Sequence, residues 1–472
     1  MRPCNRAATV KLFALVSTLL AALLSNGCLS VPQVGPAFGS YRSEQGISPT
    51  GVGAPEPLTA TEAAAVQGGP GHKSFETASL EHLLAVQEAI SGHPLVSGNR
   101  VILLPDRPTA YTAMFKEIRN AKKNIDIETY TLSADRAGYF LANLLLQKAA
   151  QGVHVNIIYD SIGSIATPPS FFQRLTTGGI AVLPFNPINP LSVLPFAGRW
   201  SLVHRDHRKL AIVDGITAFI GSANISDICA ETAGPLPGTA GKELPWRDTD
   251  VEIKGPVVAR FQKLFLDTWK KELGPPIVEN SGFLPPAPEG DDLVMAVGST
   301  WGEKNRDNYL AYLAAISSAR HSIHLTCSYF VPDRQLREAL AVAALRGVDV
   351  KIILPHRSDS RLALYGGRSY YGRLLKSGVK LYERTGVLLH AKTAVIDGVW
   401  STIGSTNLDF WSILRNNELN AVILSRSFAE KMDTLFTKEL AKSKKITVKK
   451  WESRSPFERM LEHLSAPLVY WL

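Results

Sequence analysis

Two short motifs in this chain carry the same reactive groups at the same spacing. The first is His207-Arg-Lys209 with Asp214-Gly five residues past the lysine, then Gly221-Ser222-Ala-Asn224 seven residues past the aspartate. The second is His390-Ala-Lys392 with Asp397-Gly, then Gly404-Ser405-Thr-Asn407, at the same intervals. The runs Leu210–Val213 and Thr393–Ile396 are largely apolar and read as strands. Each His and Lys therefore share one strand face, roughly 7 Å apart. An imidazole beside an ammonium supplies a proton carrier or nucleophile and a fixed positive charge. Doubled, the set suits a tetrahedral phosphoryl group. Lys209, Lys392, Asn224 and Asn407 would hold its oxygens, with Ser222 and Ser405 hydrogen-bonding into the site. One histidine attacks phosphorus while the other protonates the leaving alcohol.

A single His-x-Lys pair on a strand is ordinary surface decoration. Two copies, each followed by its own Gly-Ser-x-Asn at equal spacing, are not. Asp214 and Asp397 complete the catalytic set His207, Lys209, Asp214, His390, Lys392, Asp397, although an aspartate before glycine at a strand end reads as structural. The scheme needs the two imidazoles in opposite protonation states, which predicts a bell-shaped pH profile. His204 beside His207, and His321 near His324, lack third and fourth ligands at usable spacing, so no metal is expected.

The elements around these motifs repeat as well. Ala121-Lys-Lys-Asn-Ile-Asp-Ile-Glu-Thr-Tyr, a helical stretch 136–151 and Gly152-Val-His-Val-Asn-Ile-Ile-Tyr form one unit. Ala319-Arg-His-Ser-Ile-His-Leu-Thr-Cys-Ser, a helical stretch 334–346 and Gly347-Val-Asp-Val-Lys-Ile-Ile-Leu form its counterpart. Each reads as an alternating strand, a helix and a strand, the βαβ unit of an α/β fold. Gly179-Ile-Ala-Val-Leu-Pro and Gly378-Val-Lys-Leu-Tyr-Glu supply a third strand in each. The expected architecture is two α/β halves, 79–276 and 291–472, related by a pseudo-two-fold axis with one site between them. Pro-rich sequence from Leu273 to Pro288 separates the halves.

The N-terminus reads differently. Arg2, Arg6 and Lys11 precede an apolar run from Leu12 to Leu24, and Ser25-Asn26-Gly27-Cys28 follows. That order is a secretory signal, with an apolar run too short for the roughly 20 residues of a spanning helix. Cys28 after Gly27 resembles the lipid-modified cysteine of a bacterial lipoprotein, although Leu24 stands one residue further from it than is usual. Residues 1–28 are thus expected as a signal and 29–78, rich in Pro, Gly, Ala and Ser, as a flexible linker. The body would sit in the cell envelope, anchored on the periplasmic or outer side.

The 472 residues are 45% apolar and 20% charged, which excludes wholesale disorder. Mean hydropathy of +0.02 excludes a polytopic membrane protein. The net charge of +9 points to an anionic partner, nucleic acid or lipid, without choosing. Four scattered cysteines exclude a disulfide framework.

With these motifs in place, residues 95–472 resemble the phospholipase D superfamily, and within it the bacterial cardiolipin synthase branch. Further carriers of the resemblance are Val101–Asp106, Asn186–Pro190, Trp246-Arg-Asp-Thr-Asp250, Ser328–Asp333, Asn416-Asn-Glu418-Leu-Asn420 and the closing segment with Trp451 and Arg454. The resemblance implies transfer of a phosphatidyl group through a phosphohistidine, with no metal or other cofactor. It favours His207 as nucleophile and His390 as general acid and base, a choice the pseudo-symmetry alone leaves open. It also implies a carboxylate behind each imidazole, for which Asp250 and Glu418 stand at repeat-equivalent places. The implied reaction joins two phosphatidylglycerols into cardiolipin at a membrane surface. The alternative is a phospholipase D-type hydrolase. A nuclease is disfavoured by the membrane-directed N-terminus. Arg361, Tyr365, Arg368, Tyr370 and Tyr371 are candidates for either a substrate mouth or a solvated helix face.

Overall fold

A computed structural model describes residues 94–187, 201, 203–227, 244–277, 285–301 and 306–471. The signal, Cys28, the linker and Cys229 lie outside the described residues.

The first half opens with β1 (Val96–Leu104), α1 (Arg107–Asn120), β2 (Asn124–Thr129), α2 (Arg136–Ala150) and β3 (His154–Asp160). It continues through α3 (Pro169–Thr177), β4 (Ala181–Phe185), β5 (Lys209–Val213) and β6 (Thr217–Gly221). β7 (Trp246–Arg247), β8 (Asp250–Lys254) and α4 (Val258–Lys271) complete it.

The second half repeats the order: β9 (Asp292–Ser299), α5 (Asp307–Ser318), β10 (Ser322–Thr326), α6 (Arg334–Leu345) and β11 (Asp349–Pro355). Two helices, α7 (Arg361–Arg368) and α8 (Tyr371–Lys376), lead to β12 (Lys380–Arg384), β13 (Leu388–Leu389), β14 (Thr393–Ile396) and β15 (Trp400–Gly404). After α9 (Phe410–Leu414), β16 (Glu418–Leu424) and α10 (Arg426–Ala441) close the repeat. β17 (Ser443–Ile446), α11 (Val448–Glu452) and α12 (Pro456–Ser465) are additions.

The two halves share one 15-stranded sheet, ordered β17-β12-β11-β10-β14-β15-β16-β9-β1-β8-β6-β5-β2-β3-β4. The antiparallel pair β1–β9 is the seam. On either side of it, β2 with β3 and β10 with β11 are the parallel pairs of βαβ units. One apolar cluster spans the seam, with Phe261 and Phe265 of α4 and Phe428 and Met432 of α10 packed on strands of both halves. Each fully buried phenylalanine there contributes roughly 1.5–3 kcal/mol.

Local sequence explains the helix starts. Asp106 caps α1 through the Thr109 amide at 2.9 Å, and Asp333 caps α6 through Leu336 at 3.1 Å. Each follows a proline that ends the preceding strand or loop. The alternation in β2 does not mark a wet face. Its Asp126 and Glu128 are buried, and Asp126 is held by Asn124, Asn156 and Gln262 at 2.7–2.9 Å. Helix α4 covers that face, so the polar positions meet polar partners rather than water.

Candidate active site

Each motif strand starts at the edge of the other half. The backbone of Asp206 bridges to Asn417, with the His207 amide donating to the Asn417 carbonyl at 3.0 Å. In the same way β13 pairs with β7, and the His390 amide donates to the Arg247 carbonyl at 2.9 Å. These bridges deliver each histidine to the acidic residue of the opposite half. His207 Nδ1 lies 3.2 Å from both carboxylate oxygens of Glu418. His390 Nδ1 lies 2.7 Å from Asp248 Oδ1.

Asp250 therefore does not orient a histidine, contrary to the expectation from its spacing. The sheet register shows why. Gly221 pairs with Asp250 in β6–β8 as Gly404 pairs with Asn420 in β15–β16. Asp250 is the counterpart of Asn420, and Asp248 that of Glu418, two residues earlier. Aligning Trp246-Arg-Asp248-Thr-Asp250 with Asn416-Asn-Glu418-Leu-Asn420 from their first residues already contains this signal. Asp250 Oδ1 instead accepts the Ala223 amide at 3.1 Å, and Asn420 accepts that of Thr406 at 3.2 Å. Burial and the Asp248 charge push the Asp250 carboxyl up to about 7.

Ser222 and Ser405 are also placed differently from expectation. Ser222 Oγ donates to Asp248 at 2.8 Å and Ser405 Oγ to Glu418 at 2.5 Å. They hold the carboxylates, not a phosphate. The glycines before them have a steric reason. A Cβ on Gly221 would stand 1.8 Å from Asp250 Oδ1, and one on Gly404 2.2 Å from Asn420 Oδ1. Asn224 and Asn407 are buried near the site. Asn407 Oδ1 accepts Ser328 Oγ at 2.6 Å, leaving its amide N–H groups as the available donors. Asn224 Oδ1 has no hydrogen-bond partner. The first half has Tyr130 where the second has Ser328, and this ring lies 5.1 Å from that of His207.

Asp214 and Asp397 belong to the turns, not to the chemistry. Each lies about 16 Å along its strand from the motif lysine. Asp214 accepts the amides of Lys122, Lys123 and Asn124 at 2.7–3.1 Å, and Asp397 those of Arg320, His321 and Ser322 at 2.7–2.9 Å. Both adopt positive φ, 55° and 51°, to do so.

The electrostatics follow from burial. Burial and the neighbouring Lys209 hold the His207 imidazole down at about 4. Burial and Lys392 hold His390 at about 3. Although burial opposes it, Arg107 and His390 keep Asp248 well below the usual carboxylate range. Glu418, likewise opposed by burial, is kept low by His207 and Lys209. An ionised carboxylate only accepts, so each Nδ1 carries the proton and each Nε2 presents a lone pair.

Burial brings Lys209 down to about 8 and, with the Lys209 charge, Lys392 to about 7. Each lysine acts on the other half's histidine, so the two motifs form one electrostatic site. Both ammonium groups donate to their own motif-histidine carbonyls, at 2.6 and 2.5 Å. Such a site offers two nucleophilic nitrogens and two cations to a phosphodiester. Behind it, Arg208 donates to the Glu418 carbonyl at 3.3 Å and to Thr268 at 2.6 Å, bracing the seam.

The remaining candidates separate. His204 hydrogen-bonds Asn417 at 3.1 Å and stacks on Trp301; His324 binds Asp433 at 2.7 Å and stacks on Phe436. Among the described residues no group of three or more His, Cys, Asp or Glu side chains is disposed to hold a metal. Arg368 pairs with Glu383 at 2.8 Å and Tyr371 is buried, so this part of the basic-aromatic stretch is structural. Sequence reasoning missed Asp248, Arg107 and Tyr130; the last two carry no motif signal.

A family model described as "Cardiolipin synthase, PLD-like domain" matches residues 114–231 and 312–440. A cardiolipin synthase of Halalkalibacterium halodurans is 32% identical over 82% of this chain and 76% of its own length. Cardiolipin synthase A of Pseudomonas putida is 34% identical over 75% of this chain and 71% of its own. The crystal structure of phosphatidylserine synthase from Haemophilus influenzae superposes with a TM-score of 0.62 at 14% identity. It covers 83% of this chain and all of that one, a likeness of fold.

Proposed function

Because this chain belongs to the family of cardiolipin synthases with phospholipase D-like domains, we propose that it joins two phosphatidylglycerol molecules into cardiolipin and glycerol. The observation that carries the catalytic scheme is the crossed pairing of His207 with Glu418 and His390 with Asp248 inside one site. His207 Nε2 attacks the phosphorus of the first phosphatidylglycerol. The bond to glycerol oxygen breaks, and His390 gives that oxygen a proton. The terminal hydroxyl of a second phosphatidylglycerol then attacks the phosphohistidine, His390 takes its proton, and the P–N bond breaks. Lys209 and Lys392 balance the phosphoryl charge throughout, with the Asn224 and Asn407 amides as neutral donors.

Burial leaves both imidazoles neutral near pH 7. A phosphodiester anion adds negative charge beside them and favours protonation of one, so the substrate helps set up the acid it needs. His207 is assigned the nucleophile on family analogy. Lipid anchoring through Cys28, on the periplasmic or outer side of the envelope, fits the membrane substrate. Cys28→Ala then removes the permanent anchor, so that high salt releases the body from membranes.

The deciding experiment incubates purified protein with phosphatidylglycerol vesicles and identifies products by mass spectrometry. Cardiolipin and glycerol in equal amounts support the synthase; phosphatidic acid alone replaces it with a hydrolase. A peptide carrying a phosphatidyl group on His207, trapped by acid-free quenching, tests the nucleophile, and one carrying it on His390 instead would reverse the roles.

A further inference from the structure

The last helix is turned the opposite way to an amphipathic helix in water. Phe457, Met460 and Leu464 form its apolar stripe at helical spacing, and Leu468 continues it. These four are 63, 49, 58 and 49% exposed. The side chains turned inward are Glu462 and Ser465. A soluble amphipathic helix buries the apolar stripe and wets the charged one. Here the Glu462 carboxylate, 3% exposed, takes the Arg454 guanidinium at 2.6 Å, and Arg454 lies over the Trp451 ring at 4.1 Å. A capping box between Ser455 and Glu458 starts the helix. The apolar stripe is thus held outward by a specific ion pair whose carboxylate is buried.

Next to the stripe in sequence the chain is basic on balance, with Glu452 and Glu458 as its acidic members outside the Glu462 pair. Lys449 and Lys450 on α11 and Arg459 on α12 are exposed, as are Lys444 and Lys445 of β17. α12 packs against α7, and Asp359 just before that helix accepts the Tyr329 hydroxyl at 2.6 Å. Asp359 also acts on Lys392 and Tyr130. One helix therefore separates the stripe from the catalytic site.

We propose that this face is a docking surface for an anionic bilayer. Phe457, Met460 and Leu464 enter the boundary between headgroups and acyl chains, and Lys449, Lys450 and Arg459 meet lipid phosphates. Charge selects this occupant over a second copy, because a symmetric contact through the same face would set lysines against lysines. The proposal rests on the lipid-substrate reading of the site and adds where on the protein the membrane sits.

The test uses the full chain with a photo-reactive benzoylphenylalanine at position 457, irradiated on phosphatidylglycerol vesicles. Lipid adducts are expected there and not from the same group at position 345, equally open on α6. Adducts to protein, or none to lipid, overturn the proposal. Independently, F457S/M460S/L464S should raise the apparent KM for vesicles at least about tenfold. Its kcat on dispersed short-chain phosphatidylglycerol should stay within about twofold of the parent. An unchanged vesicle KM overturns it. If that variant does not fold, K449E/K450E serves, with the same rise expected at low salt and its absence counting against. H207A separates the two proposals: it should lose turnover yet keep the lipid adduct. Adducts without cardiolipin from the parent protein would sink the synthase and leave the surface standing.

Discussion

His390 donates its Nδ1 proton to Asp248, and Asp248→Asn would keep the volume while replacing an acceptor-only carboxylate with a neutral amide that also donates. The imidazole then loses its tautomer control, and kcat should drop roughly 10²–10⁴-fold. Asp250→Asn should leave steady-state kinetics near the parent's, because Asn420 already does that work in the other half. The reverse outcome would return the orienting role to Asp250. His207→Ala and His390→Ala should each abolish product formation; substantial turnover in either would break the two-histidine scheme. The pH profile adds a sign. Lys392 and Lys209 lose their protons near 7 and 8 in the free enzyme, so kcat/KM should fall as pH rises through that range. On the acid side it should fall as the attacking imidazole takes a proton. A profile flat from pH 5 to 9, with chemistry rate-limiting, contradicts this.

At the scale of elements, the motif aspartates tie a strand end to the loop before β2 or β10. Asp214→Ala strips acceptors from three backbone amides, which should cost roughly 2–4 kcal/mol of stability. Denaturant unfolding reads that loss, while kcat per folded molecule stays close to the parent's. A large kcat defect with unchanged stability would place Asp214 back in the chemistry. Much of this level was legible beforehand. The repeated strand-helix-strand pattern and the apolar motif strands follow from local propensity and spacing. The burial of Asp126 and Glu128 was not, because whether a strand's second face meets water depends on a helix about 130 residues away, α4.

At the scale of the molecule, the shared sheet and the seam cluster make the halves interdependent. Calorimetry of the parent should show one cooperative transition; two separate peaks would mean that β1–β9 and Arg208 do not couple the halves. On acidification below about 6.5 the buried imidazoles and the buried carboxyls of Asp250 and Asp409, pushed up to about 7, pull stability in opposite directions. His204, His207 and His390 are held near 3–4 in the fold, whereas the unfolded chain takes up those protons near 6.5. Protons bound only by the unfolded state draw the equilibrium toward it. Each imidazole contributes on the order of 3 kcal/mol, present above pH 6.5 and lost progressively toward its folded value. Asp250 does the reverse, taking a proton in the fold first, so Asp250→Asn should lose midpoint temperature more steeply than the parent from pH 7 to 4, and an equal slope contradicts this.

The candidate reacting groups, their duplication and the class of phosphoryl chemistry they suit were determined by the sequence alone, since residue type and spacing along a strand suffice to place His and Lys on one face. Only the tertiary structure decided which carboxylate serves which imidazole. The partners are 142 and 211 residues apart and meet because each motif strand begins on the opposite half, a pairing that local spacing does not encode. The direction in which α12 faces was likewise decided in three dimensions. Helical periodicity identifies an apolar stripe, but the pairing of Arg454 with the buried Glu462 determines which side looks outward.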